Sequence, residues 1–331
     1  MRAARTVDAW VDGIVAGDRA LVAQAVTLVE SRRAEDRAVA RAVLARLPRP
    51  SSSEAAWRVG ISGAPGAGKS TLIEALGMYA LGLGRKVGVL AVDPTSERTG
   101  GSILGDKTRM PRLSVEAGAF VRPSPSGGAL GGVAARTREA VTVLEAAGFD
   151  LIIVETVGVG QSETAVRHLT DTFVLLALPG AGDELQGIKR GIMEAADVVL
   201  VTKADGEQAL AAERAAAQLR AALRLLPRDD AWTTPVLTVS ALQGTGLGAA
   251  WEAIARHRAE LAAAGDLTAR RAQQAVVAFR RMLDEALRAL AEDQLGDELA
   301  RVEAEVAAGR LAEDQAALDV VARLRGAPRA V

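Results

Sequence analysis

The sequence predicts an α/β fold, a mainly parallel sheet with helices on both faces, flanked by helical extensions at both ends of the chain. Three observations predict it. Six short apolar runs, each closed by Gly, Pro or Asp, recur between residues 57 and 244. Helical stretches such as GGVAARTREAVTVLEAAG lie between them. At both ends the alternation gives way to longer helical spacing. Near-continuous apolar strands imply burial on both faces, which parallel sheets with crossover helices provide.

Residues 7–47 read as alanine-rich helices, because Leu21, Val22, Ala25, Val26 and Val29 recur at helical spacing. LPRPSSSEA is a linker by composition, so residues 1–50 form an N-terminal helical extension. The expected strands are WRVGISG (57–63), KVGVLAVDP (86–94), FDLIIVETVG (149–158), TFVLLALPG (172–180), DVVLVTKADG (197–206) and PVLTVSALQG (235–244), all within an α/β domain of residues 51–264. Ligands of such sheets sit at the carboxyl ends of the strands. From residue 265 to 331 the pattern is helical again. Val276, Phe279, Leu283, Leu287 and Leu290 mark one apolar stripe; after a phase change Leu295, Leu299, Val302 and Val306 mark another. Such stripes must be buried, either on the parent domain or in a dimerisation arm.

Composition narrows the function. A net charge of −1 over 331 residues argues against a nucleic-acid binder held by a broad basic face. Cysteine is absent, which excludes disulfides and thiolate metal sites, and His168 and His257 are too few for a zinc or nickel cluster. The N-terminal stretch MRAARTVDAWVDGIVAGDRA carries acidic residues and no long apolar core. No signal peptide, no membrane span and a cytoplasmic location are therefore expected. Only five of the 40 basic residues are lysines: Lys69, Lys86, Lys107, Lys189 and Lys203. A compact ammonium and a planar guanidinium are not interchangeable at a phosphate, so those five positions are informative.

The strongest motif is GAPGAGKST, residues 63–71, directly after a strand and opening the helix STLIEALGMYAL. Successive backbone N–H groups of Gly63, Ala64, Pro65 (which lacks the donor), Gly66, Ala67, Gly68, Lys69, Ser70 and Thr71 form a P-loop that converges on phosphates, helped by the helix N-terminus. Lys69 would reach the β- and γ-phosphates and Ser70 a magnesium ion. Base choice follows from TKAD (202–205) and SAL (240–242) at two later strand ends. Asp205 can accept from guanine N1–H and the 2-amino group, donors that adenine lacks there. The stem of Lys203 can lie across the base and the Ala241 N–H can meet guanine O6, with Ser240 and Leu242 completing that loop. The first residue is more usually Asn; Thr202 departs from it, and its hydroxyl can still brace the loop.

Magnesium on phosphates needs hard oxygen ligands, so Ser70, Asp93, Asp106 and Glu155 form the expected set. Helix capping or turn formation is the competing reading for the aspartates. Arg109 follows Asp106 in GGSILGDKTRMPRL, whose glycines suit a loop that rearranges when the γ-phosphate leaves. Asp93 and Arg109 are also carried as candidate catalytic residues. In VETVGVGQSE (154–163) the Gly158 N–H can sense that phosphate, yet Val159 stands where Ras-type enzymes place a water-orienting glutamine. Lys189, in the glycine-rich PGAGDELQGIKRG just after a strand, is the better source of help: a cation brought there can neutralise transition-state charge.

Together GAPGAGKSTLIEAL, VGVLAVDPTS, TGGSILGDKTRM, FVRPSPSGGALGGVA, FDLIIVETVGVGQSE, PGAGDELQGIKRGIMEAADVVLVTKAD and SALQGTGL resemble the MeaB/ArgK-type P-loop GTPases, chaperones of adenosylcobalamin-dependent methylmalonyl-CoA mutase. The resemblance implies a P-loop NTPase with a G domain of the signal-recognition-particle/MinD class, an N-terminal helical extension and a C-terminal dimerisation arm. It implies hydrolysis of GTP to GDP with Mg2+, binding to the mutase, gating of cobalamin loading, a homodimer, and a third switch whose chemical residues are Gln186 and Lys189. Three positions depart from the family pattern: Thr202, Glu97–Arg98 and Gly127. A GTP-dependent phosphotransferase acting on a small molecule, a nickel-type metallochaperone and a GTP-binding scaffold without turnover are the alternatives; the metallochaperone lacks Cys and His ligands.

Overall fold

The computed structural model describes residues 5–50, 55–92, 110–122, 130–156, 166–179, 190–226 and 232–326. The chain divides into two compact units, Met1–Gln274 and Ala275–Val331.

The first unit opens with α1 (Val7–Val15), α2 (Arg19–Glu30) and α3 (Ala34–Arg46). Thr6 accepts from the Ala9 N–H, and Asp18 Oδ1 accepts from the N–H groups of Ala20 and Leu21, so side chains satisfy the otherwise orphaned first-turn donors. The sheet region then runs β1 (Trp57–Gly63), α4 (Lys69–Gly82), β2 (Val87–Val92), α5 (Pro111–Val115), β3 (Ala119–Arg122), α6 (Leu130–Ala146), β4 (Leu151–Thr156), β5 (Thr172–Ala177), α7 (Arg190–Ala195), β6 (Val198–Val201), α8 (Ala209–Leu223), β7 (Val236–Thr238) and α9 (Leu247–Ala263).

The seven strands lie in the order β3-β2-β4-β1-β5-β6-β7, and every pairing is parallel. The six expected strands are present. The seventh, β3, was not expected from the sequence: AFVR is only four residues long, too short to stand out as an apolar run, and it occupies the sheet edge.

Strand residues sort onto the two faces with period two. Ile152 and Val154 of β4, with Phe173, Leu175 and Ala177 of β5, pack in one apolar cluster with α1–α3, α6 and α8. Leu151 and Ile153, with Val174 and Leu176, pack in the other with α4 and α9. The N-terminal helices thus share a core with a helix of the sheet. Arg37 adds a fork onto Glu139 of α6, with N–O distances of 2.6 and 2.8 Å.

The amino end of the sheet is closed by α9 and the first turns of α10 (Asp266–Ala307). Arg271 donates through two nitrogens to Asp171, which also accepts from the Arg58 N–H, while the neighbouring Arg270 donates to the Asp171 carbonyl. Asp197 accepts from the Phe173 N–H at 2.8 Å and faces Arg270 at 3.3 Å and His257 Nε2 at 3.4 Å. Gln274 donates to the carbonyls of Arg167 and Thr170.

In the second unit α10 continues and α11 (Glu313–Leu324) follows. Leu295 leaves helical geometry (φ −130°, ψ 19°), where the apolar stripe changes phase in the sequence. An apolar cavity of about 850 Å³ is lined by residues including Leu290, Leu299, Val302, Val320 and Leu324. Phe279 and Leu287 of the first stripe are 63% and 51% exposed. Among the described residues no helix is long and apolar enough to cross a membrane.

Candidate functional site

Candidate residues gather at the carboxyl ends of the strands. β1 ends at Gly63, where a Cβ would stand 2.7 Å from the Leu176 carbonyl oxygen, so only glycine lets β1 run this close to β5. The chain then turns through residues 64–68 into α4. Gly66 and Gly68 both have φ near +79°, a left-handed conformation that glycine adopts without steric cost, and nothing lies within 4 Å of where their Cβ atoms would be. Gly68 is the N-cap of α4, so the first-turn N–H groups of that helix open onto the loop. Pro65, Gly66 and Thr71 are exposed. The arrangement is an open cradle of backbone donors at the positive end of a helix dipole, which suits an anion.

Lys69 folds back over this cradle, donating from Nζ to the carbonyls of Gly63 (2.9 Å) and Ala64 (3.1 Å). Those two acceptors hold the ammonium across the loop where phosphate oxygens would compete for it. Ser70 donates from Oγ to Glu155 Oε1 at 3.0 Å. Glu155 is buried near the end of β4, so the structure brings together two of the four expected magnesium ligands, a hydroxyl and a carboxylate of the hard-oxygen type. Asp93 and Asp106, the other two, lie outside the described residues, as do Arg109, Gly158, Gln186 and Lys189. Among the described residues no group of three or more His, Cys, Asp or Glu could hold a metal alone. The Ser70–Glu155 pair fits an ion that takes most of its remaining ligands from phosphate and water.

The base-side loops stand beside the cradle. Thr202 follows β6 directly; its N–H donates to the Ala177 carbonyl, and its hydroxyl lies 2.8 Å from the Ala67 carbonyl and 3.2 Å from that of Ala177. Lys203, exposed, is the one non-glycine residue with positive φ among those described, at +56°. The Ala204 N–H donates to the Val239 carbonyl, which sets this loop against the end of β7. Ser240 is fully buried and donates from Oγ to Asp205 Oδ2, while its own oxygen accepts from the Gln243 N–H. Asp205 precedes a 3-10 turn (Gly206–Gln208) without capping it through its side chain. Ala241 is half-buried and Leu242 exposed.

One contributor was not read from the sequence. Ala177 supplies a carbonyl that two Thr202 donors approach; its only sequence signal is that TFVLLALPG ends at the same level as the motif-bearing strands.

The profile of the family described as methylmalonyl Co-A mutase-associated GTPase MeaB matches residues 22–295. A probable GTPase of Mycobacterium bovis is 56% identical over 272 residues, covering 82% of this chain and 80% of its own. The mitochondrial methylmalonic aciduria type A homolog of Mus musculus is 46% identical over 279 residues, covering 82% and 67%. Among solved structures, a LAO/AO transport system kinase superposes with a TM-score of 0.76 at 34% identity, covering 97% of this chain and 98% of its own.

Proposed function

We propose that this chain, which belongs to the family of methylmalonyl-CoA mutase-associated GTPases and hydrolyses GTP on a P-loop NTPase fold, uses that hydrolysis to gate cobalamin delivery to an adenosylcobalamin-dependent methylmalonyl-CoA mutase. The observation that carries the nucleotide reading is the meeting of the open cradle of residues 63–71 with the Ser70–Glu155 pair and the Thr202–Asp205 and Ser240–Leu242 loops at one end of the sheet. The partner reading is supported by the family description and by the name of the mouse relative.

In this reading the N–H groups of Gly66, Ala67, Gly68, Lys69, Ser70 and Thr71 bind the phosphates, and Lys69 leaves its loop carbonyls for them. Asp205 accepts from guanine N1–H and the 2-amino group, held in register by the Ser240 hydroxyl. The stem of Lys203 lies along the base, and the Ala241 N–H faces O6. Ser70, Asp93, Asp106 and Glu155 hold magnesium, which when bound offsets the charge that builds on the phosphate oxygens. The Gly158 N–H reports the γ-phosphate. Lys189 and Gln186, with Arg109 in support, stabilise the transition state when the partner orders their segment. Residues 265–331 form the arm of a homodimer, a reading supported by the exposed stripe that includes Phe279 and Leu287.

The test is GTP turnover measured alone and with a cobalamin-dependent acyl-CoA mutase from the same source. Binding with stimulated phosphate release supports the reading. No binding and no stimulation would remove the chaperone role, and phosphate appearing on a small acceptor rather than in water would replace it with phosphotransfer. If Lys189→Ala keeps full partner-stimulated turnover, the third-switch assignment fails.

A further inference from the structure

We propose that Arg85 and Arg258, set over the ring of Trp57 at the rim of the amino end of the sheet, form a phosphate-binding site separate from the nucleotide cradle. Trp57 opens β1 and Gly63 closes it, so the two sites stand about 20 Å apart at a rise of about 3.3 Å per residue. Nothing in this site depends on the nucleotide reading.

Trp57 is the fixed part. Its N–H donates to the Asp150 carbonyl at 2.9 Å, and its ring stacks on Trp251 of α9 with centroids 5.2 Å apart and planes 15° apart. Tyr79 of α4 packs against Trp251 at 6.4 Å. Two cations come to the Trp57 ring from different elements. Arg85, in the turn between α4 and β2, places Cζ 4.6 Å from the ring centre. Arg258, about two turns beyond Trp251 in α9, places its own at 5.0 Å. Attraction to the electron-rich ring accounts for where the cations sit and uses none of their N–H donors.

Those donors are mostly unspent. A guanidinium carries five N–H groups. Among the described residues Arg258 donates once, from Nη2 to the Ala55 carbonyl at 2.9 Å, and its Nε is buried without an acceptor. Arg85 makes no side-chain hydrogen bond among the described residues; its ion pair with Asp150 is 3.7 Å long. By contrast Arg37, Arg58, Arg122 and Arg271 each put two nitrogens onto one carboxylate. Burial lowers the Arg258 pKa from its ordinary value, Asp171 opposes this, and the charges of Arg271 and Arg85 add to it. Arg85 and Arg258 thus gather positive charge on one ring without a carboxylate fork of their own.

The chemistry selects phosphate over carboxylate. Each of those four carboxylates takes the fork of one guanidinium, whereas Trp57 gathers two. A phosphate group offers three or more acceptor oxygens and up to two negative charges, enough for both forks together. The apolar ring behind the cations keeps water from one side of them, which strengthens attraction to an anion on the other. Solvent reaches the site past Arg85, whose side chain is 35% exposed.

The experiment is calorimetric titration of the full chain in phosphate-free buffer, with the nucleotide cradle filled by magnesium and a non-hydrolysable GTP analogue. Inorganic phosphate, phosphoserine and acetate are the probes, and the unaltered chain is compared with R85Q, R258Q and R258K. At least one phosphate probe should bind saturably, and acetate about tenfold more weakly or less. R85Q and R258Q should each weaken phosphate binding by about 10–100-fold, the equivalent of one charge-assisted contact. R258K, which keeps the charge without the planar fork, should fall between R258Q and the unaltered chain. Tighter binding of phosphoserine assigns the site to a phosphate ester, and tighter binding of inorganic phosphate to the free ion; either ordering supports the site. Melting temperatures separate binding from packing, because phosphate should raise that of the unaltered chain and not that of R85Q or R258Q. Arginines that only cover Trp57 would lower the melting temperature when replaced, with no response to phosphate in the unaltered chain, and that result overturns the proposal. Acetate binding as tightly as phosphate overturns it, as does phosphate binding that survives R85Q unchanged. Where R258Q folds poorly, R85Q still decides, since Arg85 gives up no hydrogen bond on replacement.

Discussion

The two ends of the parallel sheet carry the same kinds of residue and use them in opposite ways. At the amino end, Asp171 and Asp197, 1% and 3% exposed, are enclosed by Arg271, Arg270, His257 and backbone N–H groups. Trp232 donates from its indole to the Asp197 carbonyl and packs its ring 4.8 Å from His257. At the carboxyl end, Lys69 rests on loop carbonyls, Ser70 on Glu155 and Asp205 on Ser240, beside glycines that leave open space. The contrast is instructive because the amino end contains a Thr172–His257–Asp197 line, with Thr172 Oγ1 2.9 Å from His257 Nδ1, that shares the connectivity of a hydrolytic triad. All three members are buried, none more than 3% exposed. Polar residues that close on one another in the interior hold the fold; those held by loop carbonyls and hydroxyls beside open space are the ones available for chemistry.

The largest effect should come from breaking the closed end. Arg271→Met leaves Asp171 buried without its fork, and removing one partner of a buried pair costs about 3–5 kcal/mol. The expected readout is a melting temperature lowered by roughly 5–10 °C, with GTP affinity unchanged while the protein is folded. A change in affinity at constant stability would reverse the assignment of the two ends. Next comes the open end: Lys69→Ala should lower turnover by about 10²–10³-fold, in the range for loss of one transition-state donor, with little change in melting temperature. Denaturation of that variant would mean Lys69 holds the loop for stability.

Asp205→Asn sharpens the comparison inside the open end. If Asp205 accepts from guanine as proposed, replacing the carboxylate removes charge-assisted bonds to the base, and GTP affinity should fall by roughly 10–100-fold. Xanthosine triphosphate, whose C2 carbonyl can accept from the new amide, should gain. Competition binding with GTP, XTP and ATP checks this, and equal ATP and GTP affinity in the unaltered chain would contradict the guanine reading.

How legible each end was in the sequence follows from the same contrast. The open end was readable because a phosphate cradle is local: GAPGAGKST puts its glycines, lysine and serine within nine residues, and the structure assembles them as spaced. TKAD and SAL were readable because each closes a strand, although the Thr202 contact with Ala67 spans 135 positions and could be expected only as a brace. The closed end has no motif. Asp171 and Arg271 are 100 residues apart, Thr172 and His257 are 85, and either aspartate alone reads as an ordinary strand-start turn residue. β3 escaped because four residues on a sheet edge carry too little pattern. The sequence showed only a change of helical phase at Leu295; the structure places a break in helical geometry at that residue.

The smallest expected effect compares Asp197 with Glu30, a carboxylate of α2 that Arg122 contacts at 2.6 Å. For Glu30, burial outweighs the hydrogen bond and charge of Arg122 and the charge of Arg136, and raises its pKa above the ordinary glutamate value. For Asp197, burial also pushes upward, but the hydrogen bond and charge of His257, the charge of Arg270 and the Phe173 N–H prevail and lower it. The two carboxylates therefore contribute to stability with opposite dependence on pH. The depressed Asp197 contributes stability that is present above about pH 4 and is lost as pH falls through its folded pKa. The raised Glu30 contributes stability present below about pH 4 that is lost as pH rises through its folded pKa. Denaturant unfolding of Glu30→Gln and Asp197→Asn against the unaltered chain, from pH 7 down to about pH 2.5, reads the slopes directly. Glu30→Gln should cost less than about 1 kcal/mol at pH 7 and compare less well as pH falls. The deficit of Asp197→Asn should shrink toward the acid end. Parallel slopes would show that the closed end and the N-terminal helices hold their buried carboxylates by the same balance of burial and charge.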